Sequence, residues 1–238
     1  MNTKLIPNRA LCVLVTGFGP FPGAPSNPTQ QLVTRLAHLR RPATTGVRLV
    51  THVLPTSYAA VDQQLPSLID KHQPDAIVMF GVAGRSKAIR IETLARNRTT
   101  RVYPDIDRNV LQRASITPGE GPRRGRAPFV RLAAAVRASG LPARLSRDAG
   151  TYLCNYGYWR ALEHRSQADN PRLVVFVHIP NMRRRRRTSA RSKSPNLDQL
   201  LQAAQNILIA AAAAAKQSSA SGSGQRHSMT IRRVNSTA

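Results

Sequence analysis

Acidic residues are scarce in this chain: 11 Asp and Glu stand against 36 Lys and Arg in 238 residues, a net charge of +25. Such a balance raises the prospect of an anionic partner. Aromatic residues are also few, at 5%, and none interleaves with the basic cluster at 183–187, "RRRRR", as a base-stacking platform requires. Arginine is otherwise spread along the chain, so nucleic acid is the weaker reading and a solvated basic loop over 183–195 the stronger. The two cysteines, Cys12 and Cys154, are too few for the disulfide framework of a small secreted domain. Long apolar runs are missing as well: the longest, "ILIAAAAAA" at 207–215, falls far short of the roughly 20 residues that span a bilayer. The N-terminal extension 1–10 is polar and contains proline, unlike a signal peptide. These absences predict a soluble, cytoplasmic protein with reduced thiols and no membrane partner; a homo-oligomer is compatible with the sequence.

Several motifs are absent too. There is no G-x-x-x-x-G-K-[ST] loop, no G-x-S-x-G elbow and no H-E-x-x-H, and the six histidines are scattered, so the sequence supports neither a metal site nor a cofactor. Gly17, Gly19 and Gly23 follow an apolar run, but their spacing departs from the dinucleotide fingerprint. Pro20 and Pro22 also delete amides that would face a pyrophosphate.

What is present alternates. "LCVLVTG" at 11–17, "VRLVTHVLP", "DAIVMFG" at 75–81 and "RLVVFVHIPN" read as strands, the most apolar of them buried on both faces of a parallel sheet. Between them, Asn27 and Pro28 form a cap and first-turn pair for a helix carrying Leu32, Val33 and Leu36. Further helices are predicted at 57–72, despite Pro66, at 127–140, from near Cys154, and at 196–216. Residues 98–124 are an irregular, Arg-, Pro- and Gly-rich excursion, and 216–238 lack a core-forming pattern, which predicts a disordered basic tail. The fold class is therefore α/β: a single domain over 11–215 with a mostly parallel twisted sheet flanked by helices.

In such sheets sites form beyond the carboxyl ends of strands. That rule selects the segments after residues 16, 80, 146 and 177. Cys154 follows "AGT" at a helix start, where free amides and the helix dipole favour a thiolate. His178 stands at the tip of a buried strand, and Glu92 follows the third strand. A cysteine nucleophile, a histidine base and an orienting carboxylate form a triad logic, although spacing alone leaves ordinary packing equally open.

Four blocks add to this. "VLVTGFGPFPGAPSNP", "FGVAGRSKAIRIETLARN", "DAGTYLCN" and "FVHIPN" together resemble the pyroglutamyl-peptidase I family of cysteine peptidases, also called pyrrolidone-carboxylate peptidases. The resemblance covers about 11–182 and implies a phosphorylase- or hydrolase-like α/β fold and no metal or cofactor. It implies removal of N-terminal pyroglutamate from peptides through a thioacyl-enzyme. By the same resemblance Cys154 matches the nucleophile, His178 the general base and Glu92 the third catalytic member. Phe18 and Phe21 match aromatics that sandwich the lactam ring, Asn27 a polar residue near it, and Tyr152 and Leu153 the pocket wall. The chain departs from the pattern at Val82, where many members have Gln, and at Val102, where many have Arg. Two other readings follow from the charge and these departures: a basic binding protein that keeps the fold, or a cysteine amidase acting on another N-terminal group.

Overall fold

Strand alternation decides where everything else lies. In the computed structural model, which describes residues 9–21, 25–38, 46–164, 171–182 and 194–232, with side chains to 218, the elements run as follows. The first half comprises β1 (Leu11–Phe18), α1 (Pro28–Ala37), β2 (Val47–Leu54), α2 (Tyr58–His72), β3 (Ala76–Val82), β4 (Ile89–Glu92) and β5 (Leu94–Ala95). The second comprises β6 (Arg123–Arg124), α3 (Phe129–Arg137), β7 (Ala143–Ser146), α4 (Leu153–Glu163), β8 (Leu173–Ile179) and α5 (Leu197–Arg232). The main sheet has the order β2-β1-β3-β8-β4-β7. Its first four strands are parallel; β4 runs antiparallel to β8 and parallel to β7, so the sheet is mostly parallel but mixed.

Odd-numbered residues of β1 and β8, among them Val13, Val15, Val175 and Val177, face α1, α3 and α5. Even-numbered ones, Leu14, Phe18, Val174 and Phe176, face α2 and α4. Both sheet faces are thus covered, which is why the strands are apolar without interruption, and each fully buried Val, Leu or Phe contributes roughly 1.5–3 kcal/mol. The predicted caps form: Asn27 Oδ1 accepts from Thr29 N at 3.0 Å, and Ser57 Oγ from Ala60 N at 3.2 Å. Helix α2 accommodates Pro66 and ends on Gln73 in a left-handed conformation (φ 45°).

Three features differ from the sequence reading. The four-residue β4, with Glu92 at its end, forms a strand where no strand period was evident. The excursion 98–124 closes with β6, which pairs with β5. The backbone stays helical to Arg232, where composition predicts an unstructured tail from 216. The preceding alanine run has the highest helix propensity of any residue, and propagation costs far less than nucleation. The basic run Arg183 to Arg187 and residues 233–238 lie outside the described residues. No described helix is long and apolar enough to cross a membrane.

Candidate active site

The two-residue period of β4 and β8 builds the site's floor. Ile89 and Ile91 point into the α1/α3/α5 face, which leaves Arg90 and Glu92 on the opposite face. On β8, Phe176 faces that same side, and so, two residues on, does His178. Arg90 and His178 are register partners, as are Glu92 and Phe176. His178 Nδ1 donates to Glu92 Oε1 at 2.9 Å, with Glu92 0% and His178 5% exposed. Helix α4 begins on the same side and sets Cys154 beside the His178 ring, the two lining one cavity. With Nδ1 committed to the carboxylate, Nε2 is left to serve the thiol. Burial pulls the His178 pKa down, but the hydrogen bonds to Cys154 and Glu92 and their negative charges more than reverse this, pushing it up to about 9.

Glu92 is held from three sides. Tyr158 Oη donates to its carbonyl at 3.0 Å, Asp148 N donates to Oε2 at 3.3 Å, and Arg90 Nε stands 3.0 Å from Oε1 as an ion pair. The Arg90 Nη2 group donates to Ser146 Oγ at 2.8 Å and to the carbonyl of Asp148. These contacts explain how the loop after β7 reaches the site. Because β7 lies antiparallel to β8, the strand-end rule does not bring its loop there; Arg90 does, by fastening that loop to the strand beside His178.

Helix α4 is docked by Asn155, which is fully buried and uses its whole amide: Oδ1 accepts from Arg96 N at 2.8 Å, and Nδ2 donates to the carbonyls of Arg96 at 2.8 Å and Arg98 at 3.0 Å. The helix start has no side-chain cap, so its first amides have no partner within the helix. Tyr152, Leu153 and Cys154, at that start, all line a cavity of about 290 Å³.

The structure brings all five sequence-predicted pocket residues to this cavity. Phe18 forms its depth, 2% exposed and 6.5 Å from the Phe176 ring. Phe21 and Tyr152 face each other near the surface with ring centroids 6.2 Å apart. Leu153 lines the wall while joining the α2/α4 core. Asn27 is on the wall, but its amide serves the loop: Nδ2 donates to the Gly19 carbonyl at 2.9 Å while Oδ1 caps α1. Cys154 and His178 also line the cavity, whereas Glu92 stands behind His178. Val82 lies on the wall and Val102 is 74% exposed on the excursion.

Sequence reasoning missed Arg90, Thr56, Gly81 and Asn155. Of these only Asn155 had a readable signal, as the residue after the cysteine in its block. Gly81 has a steric role: a Cβ there would stand 2.8 Å from Cys154 Sγ, so its missing side chain is the room the thiol occupies.

The sequence profile described as pyroglutamyl peptidase matches residues 11–217. Over 169 residues the chain is 34% identical to the pyrrolidone-carboxylate peptidase of Gloeobacter violaceus, covering 71% of this chain and 80% of that one. It is 30% identical, with the same coverage, to the pyrrolidone-carboxylate peptidase of Pyrococcus furiosus. Among solved structures, Bacillus amyloliquefaciens pyroglutamyl peptidase I superposes with a TM-score of 0.74 at 29% identity, over 85% of this chain and 97% of that one. The pyrrolidone carboxyl peptidase of Fervidobacterium islandicum gives 0.74 at 30% identity, over 84% and 97%. With its sequence matched from β1 into α5 and its fold shared across nearly the whole length of those structures, the chain belongs to the pyroglutamyl peptidase family.

Proposed function

We propose that this cysteine peptidase hydrolyses the bond after an N-terminal pyroglutamyl residue with Cys154 as nucleophile, His178 as acid and base, and Glu92 as the group that orients His178. The observation that carries this reading is the line of groups from half-buried Cys154 through buried His178 to buried Glu92 at the wall of a small aromatic cavity.

With its proton passed to His178, Cys154 Sγ attacks the pyroglutamyl carbonyl carbon, forming a C–S bond as the carbonyl double bond opens to an oxyanion. The free amides at the start of α4, whose residues line the cavity, offer fixed positive dipoles for that oxygen. His178 then gives its proton to the departing amine as the C–N bond breaks, leaving a thioacyl-enzyme. Water attacks that carbonyl while His178 removes its proton; the C–S bond breaks, pyroglutamate leaves and the thiol is restored. Glu92 is 0% exposed, so the imidazolium it stabilises is shielded from competing water.

Recognition follows from what the wall offers. Pyroglutamate carries no ammonium group, and the cavity suits that: its charged lining groups besides His178 are Arg90, a cation, and Asp148, which is already paired with Arg96 at 3.1 Å. A free amino terminus would lose its hydration there and meet no spare carboxylate. Both described cysteines are free, which suits a reducing, cytoplasmic setting. The direct test offers pyroglutamyl, prolyl and glutamyl aminocoumarins in parallel. The expected result is release from the pyroglutamyl compound alone; equal release from the prolyl one would overturn the lactam reading.

The pH profile supplies a second test. His178 titrates near 9 in the folded chain, above its ordinary 6.5. Its imidazolium therefore contributes stability that is fully present below about 6.5 and lost as pH rises through about 9. The same proton is the one donated to the leaving amine, so kcat/KM should hold through neutral pH and fall with a midpoint near 9. Glu92→Gln removes one of the interactions that raise this pKa, so the alkaline limb should move to lower pH. A limb that stays in place in the variant would break the link between Glu92 and His178.

A further inference from the structure

One stretch of the excursion is fixed with unusual care and yet presents apolar side chains to water. Asp105 is 0% exposed. Its Oδ1 accepts from Asp107 N at 3.0 Å and Asn109 N at 2.8 Å, and its Oδ2 from Tyr58 N, at the start of α2, at 3.0 Å. A buried carboxylate satisfied by three backbone amides pins this turn firmly. Two more bonds tie the turn to the cavity wall. Tyr152 Oη donates to the Pro104 carbonyl at 2.8 Å, and Ile106 N donates to the Thr56 carbonyl at 3.0 Å. Tyr152 and Thr56 both line the cavity.

On this anchored backbone Val102 is 74%, Tyr103 65% and Ile106 46% exposed. Single apolar side chains on a surface are ordinary. Three within five residues, on a turn hydrogen-bonded to Tyr152 and Thr56 of the cavity wall, make a fixed apolar step behind that lining. The cavity itself, about 290 Å³, lies at the low end of the roughly 300–1,000 Å³ typical of small-molecule sites. On the proposed function it takes one pyroglutamyl unit, and the rest of any peptide has to leave across the rim.

We propose that Val102, Tyr103 and Ile106 form the subsite for the residue that follows pyroglutamate, and that they favour an apolar side chain there. This rests on the pyroglutamyl-peptidase reading and adds to it a preference on the leaving side of the cleaved bond. The occupant is set by continuity: on the proposed function Cys154 attacks the bond to the leaving residue, and the turn is hydrogen-bonded to Tyr152, two residues before Cys154 in the chain. Contact with a few carbon atoms is worth on the order of tenfold in kcat/KM.

The test compares pyroglutamyl-leucine amide, pyroglutamyl-glycine amide, pyroglutamyl-aspartate amide and plain pyroglutamyl amide on the wild-type chain and on a Tyr103→Ser, Ile106→Ser double variant. The readout is the Leu-to-Gly ratio of kcat/KM, in which any general loss of activity cancels. The wild type is expected to give a ratio of about ten, with Asp no better than Gly, and the double variant a ratio near one. A flat wild-type profile, or a ratio that survives both substitutions, overturns the subsite. Failure to release pyroglutamate even from the plain amide overturns the underlying activity instead. Concentration-dependent association in sedimentation, lost in the double variant and accompanied by a flat profile, would reassign the step to contact between copies of this chain.

Discussion

Cys154→Ala is expected to reduce release of pyroglutamate by about 10⁴-fold or more while leaving a folded protein. Removing a nucleophile takes away the covalent route altogether, and what remains is the modest rate that binding and oxyanion stabilisation supply. The fold should tolerate the change. Cys154 is half-buried at the first turn of α4, and the docking of that helix depends on Asn155 and the apolar residues beside it rather than on sulfur. Thermal unfolding within about 5 °C of wild type would show that the loss is chemical. The variant also takes from His178 the first of the two hydrogen bonds that raise its pKa, so the imidazole should titrate lower, which NMR of the ring protons can follow. Turnover at the wild-type rate would remove the thiol from the mechanism.

Gly81→Ala is expected to cost about 10²-fold in kcat together with about 1–3 kcal/mol of stability. A methyl group at this position would stand 2.7 Å from two carbons of the Phe176 ring and 2.8 Å from Cys154 Sγ. Phe176 has nowhere to go: it is fully buried, with the rings of Phe18, Tyr158 and His178 at 6.5, 5.7 and 4.9 Å. The sulfur is the end of a side chain at a cavity and yields more readily, which turns it away from His178. The expected signature is a fall in kcat larger than the change in KM, with slower alkylation of Cys154 by iodoacetamide and a lowered denaturant midpoint. Wild-type kcat in a folded variant would mean that the thiol tolerates displacement.

The core and the placement of Cys154 were legible from the sequence for one reason: local pattern and tertiary position coincide there. An uninterrupted apolar run such as Leu11 to Val15 has few alternatives to a strand covered on both faces, and Cys154 follows Ala149, Gly150 and Thr151 at a helix start. Arg90 illustrates the opposite. Within "AIRIET" it looks like one more surface arginine, and β4 is too short for its alternation to stand out. Its value arises only when β4 lies against β8 and places Arg90 level with His178. Asp105 was hidden in the same way, in an excursion whose composition suggests irregular chain, because its three hydrogen-bond partners belong partly to α2. The direction of β4 and β7 was also out of reach, since nothing in a short apolar segment says which way it will run beside its neighbour.

The strand order has a consequence for how activity first appears. Strand β8, the last in the chain, lies between β3 and β4, so the sheet closes only when residues 173–179 enter a slot flanked by strands made some eighty to ninety residues earlier. Such pairings are slow because distant segments must meet before any contact rewards them. The same insertion carries His178 to Glu92 and to Cys154. A chain still emerging from the ribosome, or one cut short before β8, holds the thiol and the carboxylate but no base between them. On the proposed mechanism such a chain is silent until its sheet is complete, and catalytic competence is the last product of folding rather than a property of any fragment.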